Sequence, residues 1–258
     1  MIRSASELLE AVEACKQDLH GWQSRCLTPE IPAPRSLMAD DDRAWSFHPL
    51  SASCWSSLVS AVDHMQVVLD QIERSNLRAF ATFSLTRGAL LSAAQSVWLL
   101  CGETPSIRQR RAAGLAREFY EQREQWAREV SHVLPASELE ELARSRVHTR
   151  LRLAGLRFQA VATFKERRST EIVRVAAKAV FPNDRTRQHA VVAHWRSSSA
   201  DAHGLGWGPL TRGARAATSD RGIGTFVMGG DLNATVEHFK AAYLLTGWAW
   251  RRWDELRL

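Results

Sequence analysis

The chain has 258 residues, 45% of them hydrophobic, enough to bury roughly 70–75% of the surface its unfolded form would expose. Its formal charge of +6 is carried almost wholly by arginine, since only Lys16, Lys165, Lys178 and Lys240 are lysine; an arginine excess admits an anionic partner without requiring one, and GC-rich coding or solubility explains it as well. Cys15, Cys26, Cys54 and Cys101 form no Cys-x-x-Cys pair, and neither a signal peptide nor an apolar run of about 18 residues occurs, so the expectation is a cytoplasmic protein with free thiols and no membrane partner.

Ser4-x-x-Glu7 is a capping-box pattern that opens a first helix to about Cys26. The segment Thr28 to Ser51, with four prolines and Asp40-Asp41-Asp42, reads as a linker. This divides the chain into residues 1–51, an N-terminal helix and Pro/Asp-rich linker, and 52–258, a helical bundle domain. In the bundle, helices are expected over Ala52–Arg74, Leu77–Cys101 and, capped by Ser106-x-x-Gln109, to about Val133. The helix after Leu77 is apolar all round, as a helix surrounded by others should be, yet it carries Arg87. A buried guanidinium needs a partner, and Asp63 and Asp201 are candidates.

Ser137-x-x-Glu140 caps a long fifth helix to about Arg168, in which Val147, Leu151, Ala154, Phe158 and Val161 form a core-facing stripe. Arg146, Arg150, Arg157 and Arg168 along its edge read as a solvated face that could touch phosphate. A shorter helix spans Thr170–Val180, and Asp184 caps the next, which ends at Gly204-x-Gly206-x-Gly208-Pro209. That glycine run lacks the lysine of a phosphate loop and reads as a turn. A glycine-rich loop around Gly222, Gly224, Gly229 and Gly230 holds the one strand candidate, Gly224–Met228. A last helix, capped by Asp231, carries an apolar face of Val236, Phe239, Tyr243, Trp250 and Trp253.

Polar and ionisable residues crowd into His194–Gly204. At about 100° per residue, Arg196 and His203 fall within roughly 20° of each other, with Ser199 about 60° away. Such a face could support metal-free RNA cleavage: histidine moves a proton at the ribose 2'-hydroxyl or the leaving oxygen, arginine steadies the phosphorane, and Ser199 positions phosphate. No cofactor is required, and no metal-ligand motif is present. Two copies of the face across a homodimer would make a symmetric cleft. Spacing alone does not single the pair out, because Arg43/His48 and Arg187/His194 repeat it at the frequency chance predicts.

The string Trp195-Arg196-x-x-Ser199-x-x-x-His203-Gly204 resembles the signature of a group of uncharacterised bacterial all-helical proteins. The likeness continues upstream through His64, Arg87 in Leu85–Leu90, Trp98-Leu99-Leu100 and Arg108–Arg111. Many members carry a glutamate one turn after the arginine, where this chain has Leu91 and Ser92. That group is distantly similar to the HEPN superfamily, whose active members are metal-independent endoribonucleases of toxin and defence systems using an Arg-x(4 to 6)-His motif. The resemblance implies an all-α multi-helix bundle of about seven to eight helices with a HEPN-like core. It also implies Arg196, Ser199 and His203 as catalytic residues, His64 and Arg87 as pocket support, and RNA or a protein partner as ligand. Many HEPN members are non-catalytic, and a histidine before a glycine stop is also an ordinary helix C-cap. Two other readings stay open. One is a non-catalytic binding or scaffold protein using the linker or exposed tryptophans. The other is a DNA-binding regulator in which Thr170–Val180, a turn at Phe181–Asp184 and the helix from Arg185 form a helix-turn-helix.

Overall fold

The computed structural model describes residues 4–210, 212, 214–218, 224–227 and 229–258. Among these, the chain forms eleven α-helices, one 3-10 turn and one short hairpin, so the molecule is all-helical in its architecture. The helices number more than the seven to eight expected, because several are single turns or lie in stretches that composition marks as linker or loop.

α1 (Ala5–Cys26) begins as its sequence dictates: the Ser4 hydroxyl accepts from the Glu7 amide, and the Glu7 carboxylate accepts from the Ser4 amide. The segment expected to be a linker contains α2 (Leu37–Arg43), capped by Ser36. Met38 is fully buried, and Asp41 forms a buried ion pair with Arg108 at 2.6 Å. The aspartates that read as solvent-seeking therefore include an anchor. Asp42 accepts from the amide and hydroxyl of Ser51, which fixes the entry to α3 (Leu50–Glu73).

α4 (Ala81–Leu100) is the axis of the bundle, and its nearly unbroken apolar sequence is explained by what surrounds it. It packs against α3, α5 (Pro105–Val130), α8 (Ser169–Val180), α9 (Arg185–Ala202) and α11 (Leu232–Arg257). Phe83, Leu90, Trp98, Leu99 and Leu100 are all buried, each contributing about 1.5–3 kcal/mol of transfer free energy. The cap of α5 is Thr104, whose hydroxyl accepts from the Ile107 amide, with Pro105 in the first turn; Ser106, the expected cap, lies inside the helix. The chain ends meet at Arg25, which bonds both Glu30 and Asp254, while Glu30 also accepts from the Trp253 indole.

The expected fifth helix is corrected in length and in facing. α6 (Ala136–Gly155) stops at Gly155, passes through a 3-10 turn at Leu156–Phe158 and does not reach Arg168. A side-chain carbon at Gly155 would lie 2.7 Å from the Trp45 ring. The Ala162 amide donates to the Arg110 carbonyl at 3.0 Å, pulling the following segment onto α5. Val147, Leu151 and Phe158 face solvent, at 55%, 63% and 90% exposure, so the predicted stripe is not a core face. The covered side is that of Leu142, Thr149 and Leu156. It is held by Glu124, which is buried on α5 and accepts from Arg146 and Arg150; these guanidiniums hold its carboxyl down to about 2. Both arginines thus belong to an ion-pair cluster rather than a free cationic edge.

A capped single turn, α7 (Phe164–Arg167), leads into α8. α9 starts at Asp184, whose carboxylate accepts from the Arg187 amide, and α11 starts at Asp231 in the same manner. Between them lie a single turn, α10 (Trp207–Leu210), and an antiparallel hairpin of β1 (Ala214–Thr218) and β2 (Gly224–Val227). β2 matches the expected strand up to Val227; Met228 and Gly222 lie outside the described residues. No described helix is long and apolar enough to cross a membrane.

Candidate nucleic-acid interface

The end of α9 is built by a Schellman motif. Gly204 has φ +67°, the Leu205 amide donates to the Ala200 carbonyl at 2.8 Å, and the Gly204 amide donates to the Asp201 carbonyl at 3.1 Å. His203 is the C-cap residue and its side chain is exposed. Arg196 is exposed as well, two turns earlier on the same flank, and Ser199 lies half-buried between them. No described hydrogen bond joins Arg196 to His203.

Arg87 reaches this flank from α4. Its Nε donates to Ser199 Oγ at 3.3 Å, and no ion pair with a carboxylate forms among the described residues. Neither expected partner is used: Asp201 pairs with Arg212 at 2.7 Å, and Asp63 makes no bond with Arg87. The structure therefore brings Arg87, Ser199, Arg196 and His203 to one side of α9. No described hydrogen bond joins His64 to these residues, and its ring lies against Gly88, next to Arg87 in the chain. His64 Nδ1 donates to the Ser60 carbonyl at 2.7 Å, and a side-chain carbon on Gly88 would come within 2.5 Å of the ring. Close approach of α3 to α4 requires the bare glycine there. Ser92, in place of an acid one turn on, shares a hydrogen bond with Ser60 at 3.0 Å.

α9 carries a longer exposed ridge than the Arg/His pair suggests. With Arg185 at 0°, His189, Arg196 and His203 fall at about 40°, 20° and 0° around the axis, and all four are exposed. The ridge is about 27 Å long at 1.5 Å per residue. It holds no carboxylate: Asp184 is the cap and is paired with Arg187, and Asp201 is buried on the opposite side. No family model, curated protein or solved structure matches this chain.

The buried side of α9 holds chemistry that motif reasoning missed. His238 of α11 places Nδ1 2.7 Å from the Ala234 carbonyl, which only accepts, so Nδ1 carries the proton and Nε2 accepts from Ser197 Oγ at 2.9 Å. The His194 ring lies 4.4 Å from it, Phe83 meets it edge-on at 5.2 Å, and the Arg212 guanidinium covers Phe83 at 3.7 Å. Burial foremost, and then His194, pushes His238 down to about 3; burial also lowers His194. Burial raises the Asp201 carboxyl against the pull of Arg212. A histidine so depressed is neutral at ordinary pH and cannot deliver a proton as a general acid. The signal was in the sequence: His194, Ser197, Ser198 and Asp201 follow the i, i+3, i+4, i+7 pattern of a covered helix face.

Proposed function

We propose that this chain is a helical RNA-binding protein that meets the phosphodiester backbone along the α9 ridge of Arg185, His189, Arg196 and His203, with Arg87 at its edge. One observation carries the reading: four cationic or titratable side chains share one exposed arc of α9, and that arc carries no carboxylate. Arginine forks suit phosphate, and neutralising a row of phosphates releases counterions whatever the sequence. The ridge follows a helix and lies beside Arg87, whose one bond among the described residues is to the Ser199 hydroxyl.

A second reading has its own support. Arg196 and His203 are both open to solvent on one flank, with Ser199 between them, which is the arrangement metal-independent RNA cleavage in the HEPN manner would use. A single experiment separates the readings. Purified protein is titrated with single-stranded RNA and with duplex DNA at several salt concentrations in EDTA, and the RNA is then examined for cleavage. The binding reading expects RNA affinity to fall with salt, and Arg185→Ala and Arg196→Ala each to reduce the log–log slope by about 0.7. Cleavage abolished by His203→Ala in the folded protein establishes the nuclease. Binding that is unchanged by both arginine variants rejects the ridge, and a preference for duplex DNA favours the regulator.

A further inference from the structure

Away from the ridge, the C-terminal end of α4 opens on a cleft of about 740 Å³ bounded by α5, α8 and α11. That volume lies within the range of small-molecule sites, roughly 300–1,000 Å³. The lining combines apolar groups, Ile107, Val175, Ala179 and Trp248, with the cations Arg111, Lys178, Arg251 and Arg252. Glu103 and Glu255 are the acids in the lining, so cations outnumber them.

The guanidiniums are held in place by the helix end itself. The last carbonyls of α4 have no partners within the helix and carry the negative end of its dipole. Arg111 Nη1 donates to the Trp98 carbonyl at 2.5 Å and to Cys101 Sγ at 3.3 Å, and Arg252 Nε donates to the Leu100 carbonyl at 3.5 Å. Both side chains are thereby tied to the end of α4 with donors to spare. Arg252 also bonds Glu255 at 2.7 Å. Arg111, Lys178 and Arg251 make no ion pair among the described residues, so the cleft's four cations exceed its two acids, Glu103 and Glu255, and Arg252 is the one of the four that is paired there. A cleft that holds an indole and aliphatic carbons together with anchored donors is complementary to a molecule with an apolar and an anionic part.

We propose that this cleft binds a small organic phosphate monoester, its apolar ring body against Trp248, Ile107 and Val175 and its dianion between Arg111, Lys178 and Arg251. The site is independent of the α9 ridge. Isothermal titration of the full chain with 1-naphthyl phosphate, inorganic phosphate and 1-naphthol tests it. The ester should bind saturably and at least tenfold more tightly than either half. Lys178→Ala combined with Arg251→Ala, both exposed positions, should weaken it at least tenfold, and Trp248→Leu should weaken the ester while leaving inorganic phosphate unchanged. Arg196→Ala, on the ridge, should leave binding as it was. No saturable binding at millimolar ester overturns the proposal. So does binding that survives the Lys178/Arg251 double variant, or inorganic phosphate binding as tightly as the ester.

Discussion

At the scale of single residues, the same amino acid takes opposite roles according to what covers it. His203 is exposed and caps a helix, whereas His238 is enclosed by Phe83, His194 and Ser197 and held neutral. The pH consequence has a definite sign. In the unfolded chain a histidine titrates near about 6.5, and His238 in the fold is pushed down to about 3. As pH falls through this window the unfolded state takes up the proton first, so the contribution to stability is complete above about 6.5 and is lost toward 3. The melting temperature of the protein should drop between pH 7 and pH 4, and His238→Gln should flatten that dependence. Parallel curves for the two proteins would remove His238 as the cause. Arg87 teaches a related lesson: its isolation in an apolar helix announces a need for a partner, but the partner proved to be a serine hydroxyl 112 positions away.

At the scale of elements, three caps written in local chemistry are honoured, while Ser106 and Ser137, expected as caps, lie inside helices that begin at Pro105 and Ala136. The capping box at Ser4/Glu7 and the aspartate caps at 184 and 231 appear where the sequence places them, because a cap satisfies orphan amides within three residues and needs nothing from elsewhere. α6 is the opposite case. A 4, 3, 4, 3 repeat says that a helix has an apolar side, not that something covers it. Here the buried acid Glu124 and the close approach at Gly155 turn another side inward. Leu151→Ser and Phe158→Ser, at 63% and 90% exposure, should each change stability by less than about 0.5 kcal/mol, as surface substitutions do. Chemical denaturation reads this directly, and a loss above about 2 kcal/mol would mean that these side chains are covered after all.

At the scale of the whole molecule, the N-terminal elements are fastened to the bundle by ionic groups as well as by apolar contact. Asp41 and Arg108 are both buried and face each other at 2.6 Å, with Gln109 adding a donor at 3.2 Å. Removing one partner of such a pair leaves an uncompensated charge in the interior, a cost of about 3–5 kcal/mol. Asp41→Ala should therefore be among the most damaging single changes, a large part of a total stability of about 5–15 kcal/mol. Replacing both residues with apolar ones, Asp41→Leu with Arg108→Met, should recover much of the loss. Urea melts of the three proteins decide it, and a double variant no better than Asp41→Ala would show that the charges themselves are required.

The sequence by itself determined the helical class, most helix starts, the enclosed character of α4 and the stretch where ionisable residues gather, because caps and periodicity act over one or two turns. Only the tertiary structure decided which side of each helix is covered. It enclosed His194, Ser197 and Asp201 and left Arg196 and His203 in solvent, turned the α6 stripe outward, made part of a supposed linker into an anchor, and assembled the cationic cleft from three helices. Burial is a property of what lies on the other side of a surface, and that neighbour is contributed by residues tens to hundreds of positions away.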